Sequence, residues 1–145
     1  MTDCGELYGL ISPEELAKKI LEEEGSPDPS FLVIDVRDVD HIGGHIKGHY
    51  HAPMAKFDDL LPHLVHMCRD KKTLIFHCLM SQQRGPTAAR EYIFIREKML
   101  CILMKEGRPD QEVLVLDGGF YAWMQHYAED ERLTSSFVSS LWRND

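Results

Sequence analysis

Several things are missing from this 145-residue chain, and each absence narrows what it can be. Its four cysteines (Cys4, Cys68, Cys78 and Cys101) form no Cys-x-x-Cys pair, so neither a zinc cluster nor a dense disulfide framework follows from them. Apolar runs reach only about six residues, far short of the roughly 20 needed to span a bilayer. No basic stretch opens the chain: Met1-Thr2-Asp3-Cys4 begins with an acid and leads into no signal-like apolar core. The expected compartment is therefore cytoplasmic or nuclear, with the cysteines as free thiols. Basic residues are in deficit, 16 against 24 acids, and the net charge of −8 disfavours nucleic acid as a partner. A phosphorylated substrate stays open, because an anion site is built locally. With 43% hydrophobic and 28% charged residues, what remains is an ordinary globular composition of single-domain length, expected to contact no membrane.

No internal repeat interrupts the chain, and strands alternate with helices along it. Ser12-Pro13-Glu14-Glu15 predicts a capped helix start, and the helix runs from Pro13 to Glu24 with Leu16, Ile20 and Leu21 on one face. Phe31 to Val36 is a buried strand with Asp35 near its C-terminal end. Residues 37 to 53, rich in glycine, are expected to be mostly loop, followed by a helix from about Phe57 to Cys68 whose regular part starts late because of Pro62. Thr73 to His77 and Glu112 to Leu116 are further strands, with helices from Pro86 to about Met104 and from Phe120 to Tyr127. The tail after Glu129 is polar except for Phe137, Val138, Leu141 and Trp142, which can pack back on the domain. This order predicts an α/β fold: a central, mostly parallel sheet flanked by helices. Ligands of such sheets bind where loops leave the carboxyl ends of strands, and the segment after His77 leaves one.

That segment, His77-Cys78-Leu79-Met80-Ser81-Gln82-Gln83-Arg84-Gly85-Pro86, carries the chemistry. A cysteine attacks as the thiolate, and an ordinary thiol of pKa about 8.5 is only a few per cent ionised at neutral pH. Lowering that value by three units, worth roughly 4 kcal/mol, would ionise it almost fully. A strand-to-helix loop offers inward backbone N–H groups and the positive end of a helix dipole to do so. Arg84 stands six positions after Cys78, with five residues between them and a planar fork that grips two oxygens of a tetrahedral anion. Cys78 is therefore the expected nucleophile and Arg84 the anion clamp, with Leu79, Met80, Ser81, Gln82 and Gln83 wrapped about the anion. Ser81 can donate to the thiolate or the leaving oxygen, while His77 and Gly85 are expected to support the loop. Cys-x5-Arg alone arises often by chance; the strand before it and the Gly-Pro and helix after it make it a signal.

The pattern His-Cys-x-x-Ser-x-x-Arg-Gly-Pro resembles the active-site loop of the M-phase inducer phosphatases, and equally that of the eukaryotic arsenate reductases, which share a rhodanese-like fold. Asp35-Val36-Arg37, followed by Gly44-His45-Ile46-x-Gly48, is similar to the first signature of the rhodanese-like superfamily. Asp117-Gly118-Gly119-Phe120-x-x-Trp123 is similar to its C-terminal one. The resemblance implies one three-layer rhodanese-like domain over residues 1–145, with its core at about 10–127 and a tail at 128–145. Sulfurtransferases of that superfamily have a loop one residue shorter, sized for a persulfide, whereas this loop suits phosphate or arsenate. The phosphatases carry acids within the loop; here Leu79 and Gln83 replace them. The plant enzymes add a cysteine-rich zinc site, but residues 128–145 contain no cysteine, so no metal is expected.

Three readings follow. One is a protein tyrosine or dual-specificity phosphatase acting through a phosphocysteine on a phosphorylated protein. The second is an arsenate reductase acting on a small oxyanion, with glutathione as co-substrate and glutaredoxin as partner. The third is a non-catalytic anion- or partner-binding module. None requires a resident cofactor. Asp35 is a candidate acid, although beside Arg37 it reads first as sheet support. His41, His45, His49 and His51 would share a face on a helix, but Gly43, Gly44 and Gly48 argue against one. Cys68 and Cys101 could each pair with an oxidised Cys78, if their Cα atoms approach within about 7 Å, or be inert core thiols. Tyr121 and Trp123 are expected to pack, and Arg90 to face solvent.

Overall fold

A computed structural model describes residues 8–102 and 110–142, the side chains of 101 and 102 excepted. Eleven regular elements follow one another: β1 (Gly9–Ile11), α1 (Pro13–Glu22), β2 (Phe31–Asp35), β3 (His45–Ile46), β4 (Tyr50–His51), α2 (Phe57–Met67), β5 (Thr73–His77), α3 (Arg84–Ile102), β6 (Glu112–Leu116), α4 (Gly119–Tyr127) and β7 (Thr134–Ser135). Short 3-10 turns cover Met54–Lys56 and Ser139–Trp142.

Five strands pair in the order β1-β6-β5-β2-β4, every pair parallel. Alternation along the strands sorts the core into two layers. Ile34, Leu74, Phe76, Val113 and Val115 face Phe57, Leu61 and Leu64 of α2 and Ala88, Ala89 and Tyr92 of α3. Val33, Ile75, Leu114 and Leu116 face Leu16, Ala17 and Ile20 of α1 and Phe120 and Trp123 of α4. Burial on both faces explains why β2, β5 and β6 have near-continuous apolar sequences.

Local chemistry sets the element ends. The Ser12 hydroxyl accepts from the Glu15 N–H and the Glu15 carboxylate from the Ser12 N–H, both at 3.1 Å, which fixes the start of α1. That helix closes at Glu22, two residues before the sequence expectation. α2 starts at Phe57 and runs through the exposed Pro62, against the expectation of a late start. The proline omits one helical hydrogen bond, and burial of Phe57, Leu61, Leu64 and Val65 carries the helix past it. α3 begins at Arg84 instead of Pro86, so Arg84 belongs to the first helical turn. Pro86 then sits where an N–H has no helical partner in any case. The expected end of this helix near Met104 lies outside the described residues.

Segment 37–53 is less irregular than its glycines imply. β4 adds an edge to the main sheet, placing His51 opposite Asp35. β3 pairs antiparallel with β7, placing Ile46 opposite Thr134. The C-terminal tail packs back, with the Trp142 indole N–H donating to the Gly43 carbonyl at 2.9 Å and its ring 5.8 Å from that of Phe120.

Candidate active site

Cys78 follows β5 directly and is 3% exposed. The next residues curl because Ser81 adopts a left-handed conformation at φ 55°. That turn aims the Ser81 backbone N–H at the Cys78 sulfur, 3.2 Å away, and brings the Ser81 hydroxyl to 3.5 Å from the Cys78 N–H. The loop thus wraps back over its own thiol. Gln83 precedes α3 and its carbonyl accepts the Thr87 N–H at 2.9 Å. Leu79 and Ser81 are half-buried, whereas Met80, Gln82 and Gln83 face solvent. Gly85 lies against the loop, since a Cβ there would come 3.4 Å from the His77 Cα and from the Ser81 Oγ.

Arg84 is held by two carboxylates from the segment after β2. Its Nη1 and Nη2 donate to the two oxygens of Asp40 at 2.9 and 2.7 Å, and Nη1 reaches Asp38 at 3.5 Å. Hydrogen bonding from Arg84 holds the Asp40 carboxyl below its usual range against the opposing effect of burial. The same contacts, with a smaller contribution from the nearby Cys78 sulfur, strengthen the proton affinity of Arg84. Asp38 is itself fixed, accepting the Ala55 N–H at 2.9 Å. In this state the fork faces an internal carboxylate.

Behind the loop, the start of α4 carries the loop backbone. The Phe120 N–H donates to the Cys78 carbonyl at 3.0 Å and the Tyr121 N–H to the Leu79 carbonyl at 2.8 Å. These are first-turn donors that no helix can satisfy internally. So close a seat needs glycine: Gly119 has φ 61°, and a Cβ on it would stand 2.5 Å from the Leu79 carbonyl oxygen. His77, fully buried, donates from Nδ1 to the Cys78 carbonyl at 3.0 Å. Burial lowers its pKa and favours the neutral ring.

Asp35 and Arg37 are both 0% exposed. Arg37 grips Asp35 with Nε at 3.1 Å from each oxygen and Nη2 at 2.7 Å, and extends to the Gly44 carbonyl at 2.9 Å. Burial works against the charged carboxylate, yet the Arg37 fork holds its pKa well below the usual range. A carboxyl kept ionised and doubly bonded has no proton to give, so the geometry gives Asp35 a supporting place and not that of an acid.

A cleft of about 560 Å³, lined among others by Ile20, Phe31, Lys47 and Arg132, opens beside the N-terminal end of β2 and has no cysteine in its wall. The cradle around Cys78 is defined by its donors.

Comparison with known proteins shows the family of the fold. The rhodanese-like domain family matches residues 12–126. The chain belongs to that family. Among its rhodanese-like relatives, "Dual specificity phosphatase Cdc25" of Arabidopsis thaliana is 41% identical over 97 residues, 66% of this chain and 62% of that protein. This chain therefore matches less than two thirds of the Arabidopsis protein's length. "Arsenate reductase 2.2" of Oryza sativa is 36% identical over 98 residues, 66% of this chain and 71% of the rice protein. The solved structure of Ygr203w, described as a yeast protein tyrosine phosphatase of the rhodanese family, superposes with a TM-score of 0.77 at 31% identity, covering 94% of this chain and 98% of that one. Relatives of this rhodanese-like chain thus include proteins named as phosphatases and as arsenate reductases.

Of the residues anticipated from sequence, the structure brings Cys78, Ser81 and Arg84 together around one point and places His77 and Gly85 against them. Cys68 stays away. It is buried in the turn before β5, whereas Cys78 follows that strand, and the five residues between the two ends span roughly 17 Å. A disulfide between them is out of reach. Burial also pushes the Cys68 thiol up to about 11. The side chain of Cys101 lies outside the described residues. Trp123 packs as expected, fully buried, with its indole N–H donating to the Thr134 hydroxyl at 2.9 Å. Tyr121 is 43% exposed, its backbone rather than its ring serving the loop. Arg90 is half-buried and donates to Thr87. The sequence assigns no role to Asp38 and Asp40, and Gly119 stands in it only as part of a signature. The second glycine of Asp117-Gly118-Gly119 was the available signal for one of them. The aspartates carried none, because the loop that returns them to Arg84 has no periodic pattern.

Proposed function

We propose that this rhodanese-like chain is a cysteine-dependent phosphatase of the protein tyrosine or dual-specificity type. The observation that supports this most is the closure of the loop on Cys78, with the Ser81 N–H on sulfur and Arg84 in the first turn of α3. In this reading a phosphate dianion displaces Asp40 from the Arg84 fork and settles among the loop N–H groups. The Cys78 thiolate attacks phosphorus in line, the S–P bond forms, and the P–O bond to the alcohol or aryl oxide breaks. The departing oxygen takes a proton from water, which suits an aryl oxide, a good leaving group. Water then cleaves the phosphocysteine, releasing inorganic phosphate and restoring the thiolate. Arg84 and the loop amides stabilise the equatorial charge in both steps.

A second reading is favoured by the absence of an acid in the loop and the engagement of Asp35 with Arg37: an arsenate reductase. Cys78 attacks arsenic with loss of water, and glutathione attacks the sulfur of the adduct. Two thiol electrons reduce arsenic(V) to arsenic(III) and leave a Cys78–glutathione disulfide, which glutaredoxin reduces. With Cys68 at the far end of β5, the resolving thiol comes from outside the described residues.

The test is turnover of an aryl phosphate in one assay and of arsenate with glutathione and glutaredoxin in another, for the wild type and Cys78→Ser. Hydrolysis lost in the variant supports the phosphatase. Arsenate turnover alone moves the assignment to the reductase. Phosphate binding without turnover in either assay leaves an anion-binding module and refutes both.

A further inference from the structure

The loop between β2 and β4 gathers histidines that the Cys78 chemistry does not use. We infer that His41, His45 and His49 form a binding site for a divalent transition metal of the zinc class, with three imidazole ligands and one open position.

One nitrogen from each of the three rings lies within 4.8 Å of the other two. The Nε2 atoms of His41 and His49 are 2.9 Å apart. Two nitrogens on a tetrahedral zinc, each about 2.0–2.1 Å from it, stand roughly 3.3 Å apart, so small ring movements close the triangle around an ion. His45 stacks on His49, with ring centroids 4.9 Å apart, and tilts against His41 at 4.1 Å. These positions are set by backbone, not by helical spacing. β3 carries His45, β4 carries His51, and the His41 N–H closes a turn on the Asp38 carbonyl at 3.1 Å. Glycines 43, 44 and 48, all at positive φ, provide the bends.

The protons are arranged for ligation as well. The His49 Nδ1–H donates to the Ile46 carbonyl at 3.1 Å, which leaves its Nε2 with a lone pair. Tying the far nitrogen to a backbone carbonyl is the usual way a ligating imidazole is oriented. The Nε2 of His45 is buried without a hydrogen-bond partner among the described residues, while its ring also feels the His41 backbone. A buried nitrogen with nothing to bond is costly, and an ion would satisfy it. His51 lies outside this triangle: its Nε2 donates to the Arg37 carbonyl at 2.6 Å, and its ring stacks flat on His41 at 3.6 Å, fixing that ring's plane.

Burial lowers the proton affinity of the His41, His45 and His49 rings. Asp35, paired with Arg37, lies beside the cluster, with its carboxylate 3.8 Å from the His41 Nε2. Three nitrogens and no free carboxylate select zinc, cobalt or nickel over magnesium or calcium. Binding displaces the proton shared between His41 and His49, which moves to the outer nitrogen of His41 or to solvent. The sequence argued against a metal because glycines forbade a helix there; the folded loop assembles the cluster without one.

Metal-stripped full chain titrated with Co²⁺ and then Zn²⁺ tests the site, and the readout is independent of any reaction at Cys78. Expected are one equivalent bound, visible ligand-field bands of a tetrahedral ion, and no thiolate-to-cobalt charge-transfer band. His49→Ala and His41→Gln, each shown by circular dichroism to fold without metal, should weaken binding at least about 100-fold, since disturbing outer contacts alone costs about 10–100-fold. Cys78→Ser should leave it unchanged. Absence of stoichiometric binding, a thiolate band, or full affinity in both folded histidine variants overturns the site.

Discussion

Two residues outside the Cys78 loop set how it behaves. Asp40 occupies the Arg84 fork from two sides. Removing its charge in Asp40→Asn frees the clamp and lifts a repulsion from the anion site. A half-exposed ion pair is worth at most about 1 kcal/mol, so inorganic phosphate should bind up to about fivefold more tightly, as read by calorimetric titration. Weaker binding would mean that Asp40 orients the fork instead of competing for it. Gly119 acts by lacking a side chain. In Gly119→Ala a residue at φ 61° costs about 1 kcal/mol in backbone strain, and its Cβ would force the Leu79 carbonyl away. Aryl phosphate turnover should fall at least about tenfold with the far-ultraviolet spectrum intact; an unchanged rate would show that the loop tolerates the shift.

Between elements, the decisive spacing is the length of β5. Cys68 caps α2 at one end of that strand and Cys78 begins the loop at the other. Mild peroxide treatment should therefore yield no Cys68–Cys78 disulfide in peptide mass spectra. With its thiol pushed up to about 11 by burial, Cys68 should resist iodoacetamide at pH 8 in the native protein and react once unfolded. The elements themselves were largely legible in the sequence, because buried parallel strands write apolar runs and the Ser12–Glu15 box writes a helix start. The two-residue strands β3 and β4 were not, since pairing across long sequence separations, such as Ile46 with Thr134, leaves no local signature. The same reason hid the histidine cluster. Cys78 and Arg84 were legible because a loop that joins a strand to a helix constrains both flanks; Asp38 and Asp40 come from a different connection, and only the folded chain brings them there.

At the scale of the whole molecule, the last described residues return to the first third of the chain. Trp142 bonds to Gly43, the Val138 N–H donates to the same carbonyl at 3.1 Å, and Phe120 packs between this tail and Arg37. Trp142→Ala should cost roughly 1–3 kcal/mol in urea unfolding, less than a fully buried aromatic. It should also speed hydrogen exchange of amides in residues 41–49 while leaving β5 and β6 protected. Uniform acceleration would indicate that the tail holds the entire domain. The described residues contain no helix long and apolar enough to cross a membrane.

The carboxylate parked on Arg84 gives the proposed enzyme a threshold. An incoming ion must outbid a ligand already delivered at high local concentration by the same chain. Chloride or bicarbonate, with a single negative charge, barely matches that incumbent, whereas a dianion brings a second charge for the remaining loop donors. Valence would then be sorted before any chemistry begins, and the sulfur beneath would be left idle by the abundant small anions around it.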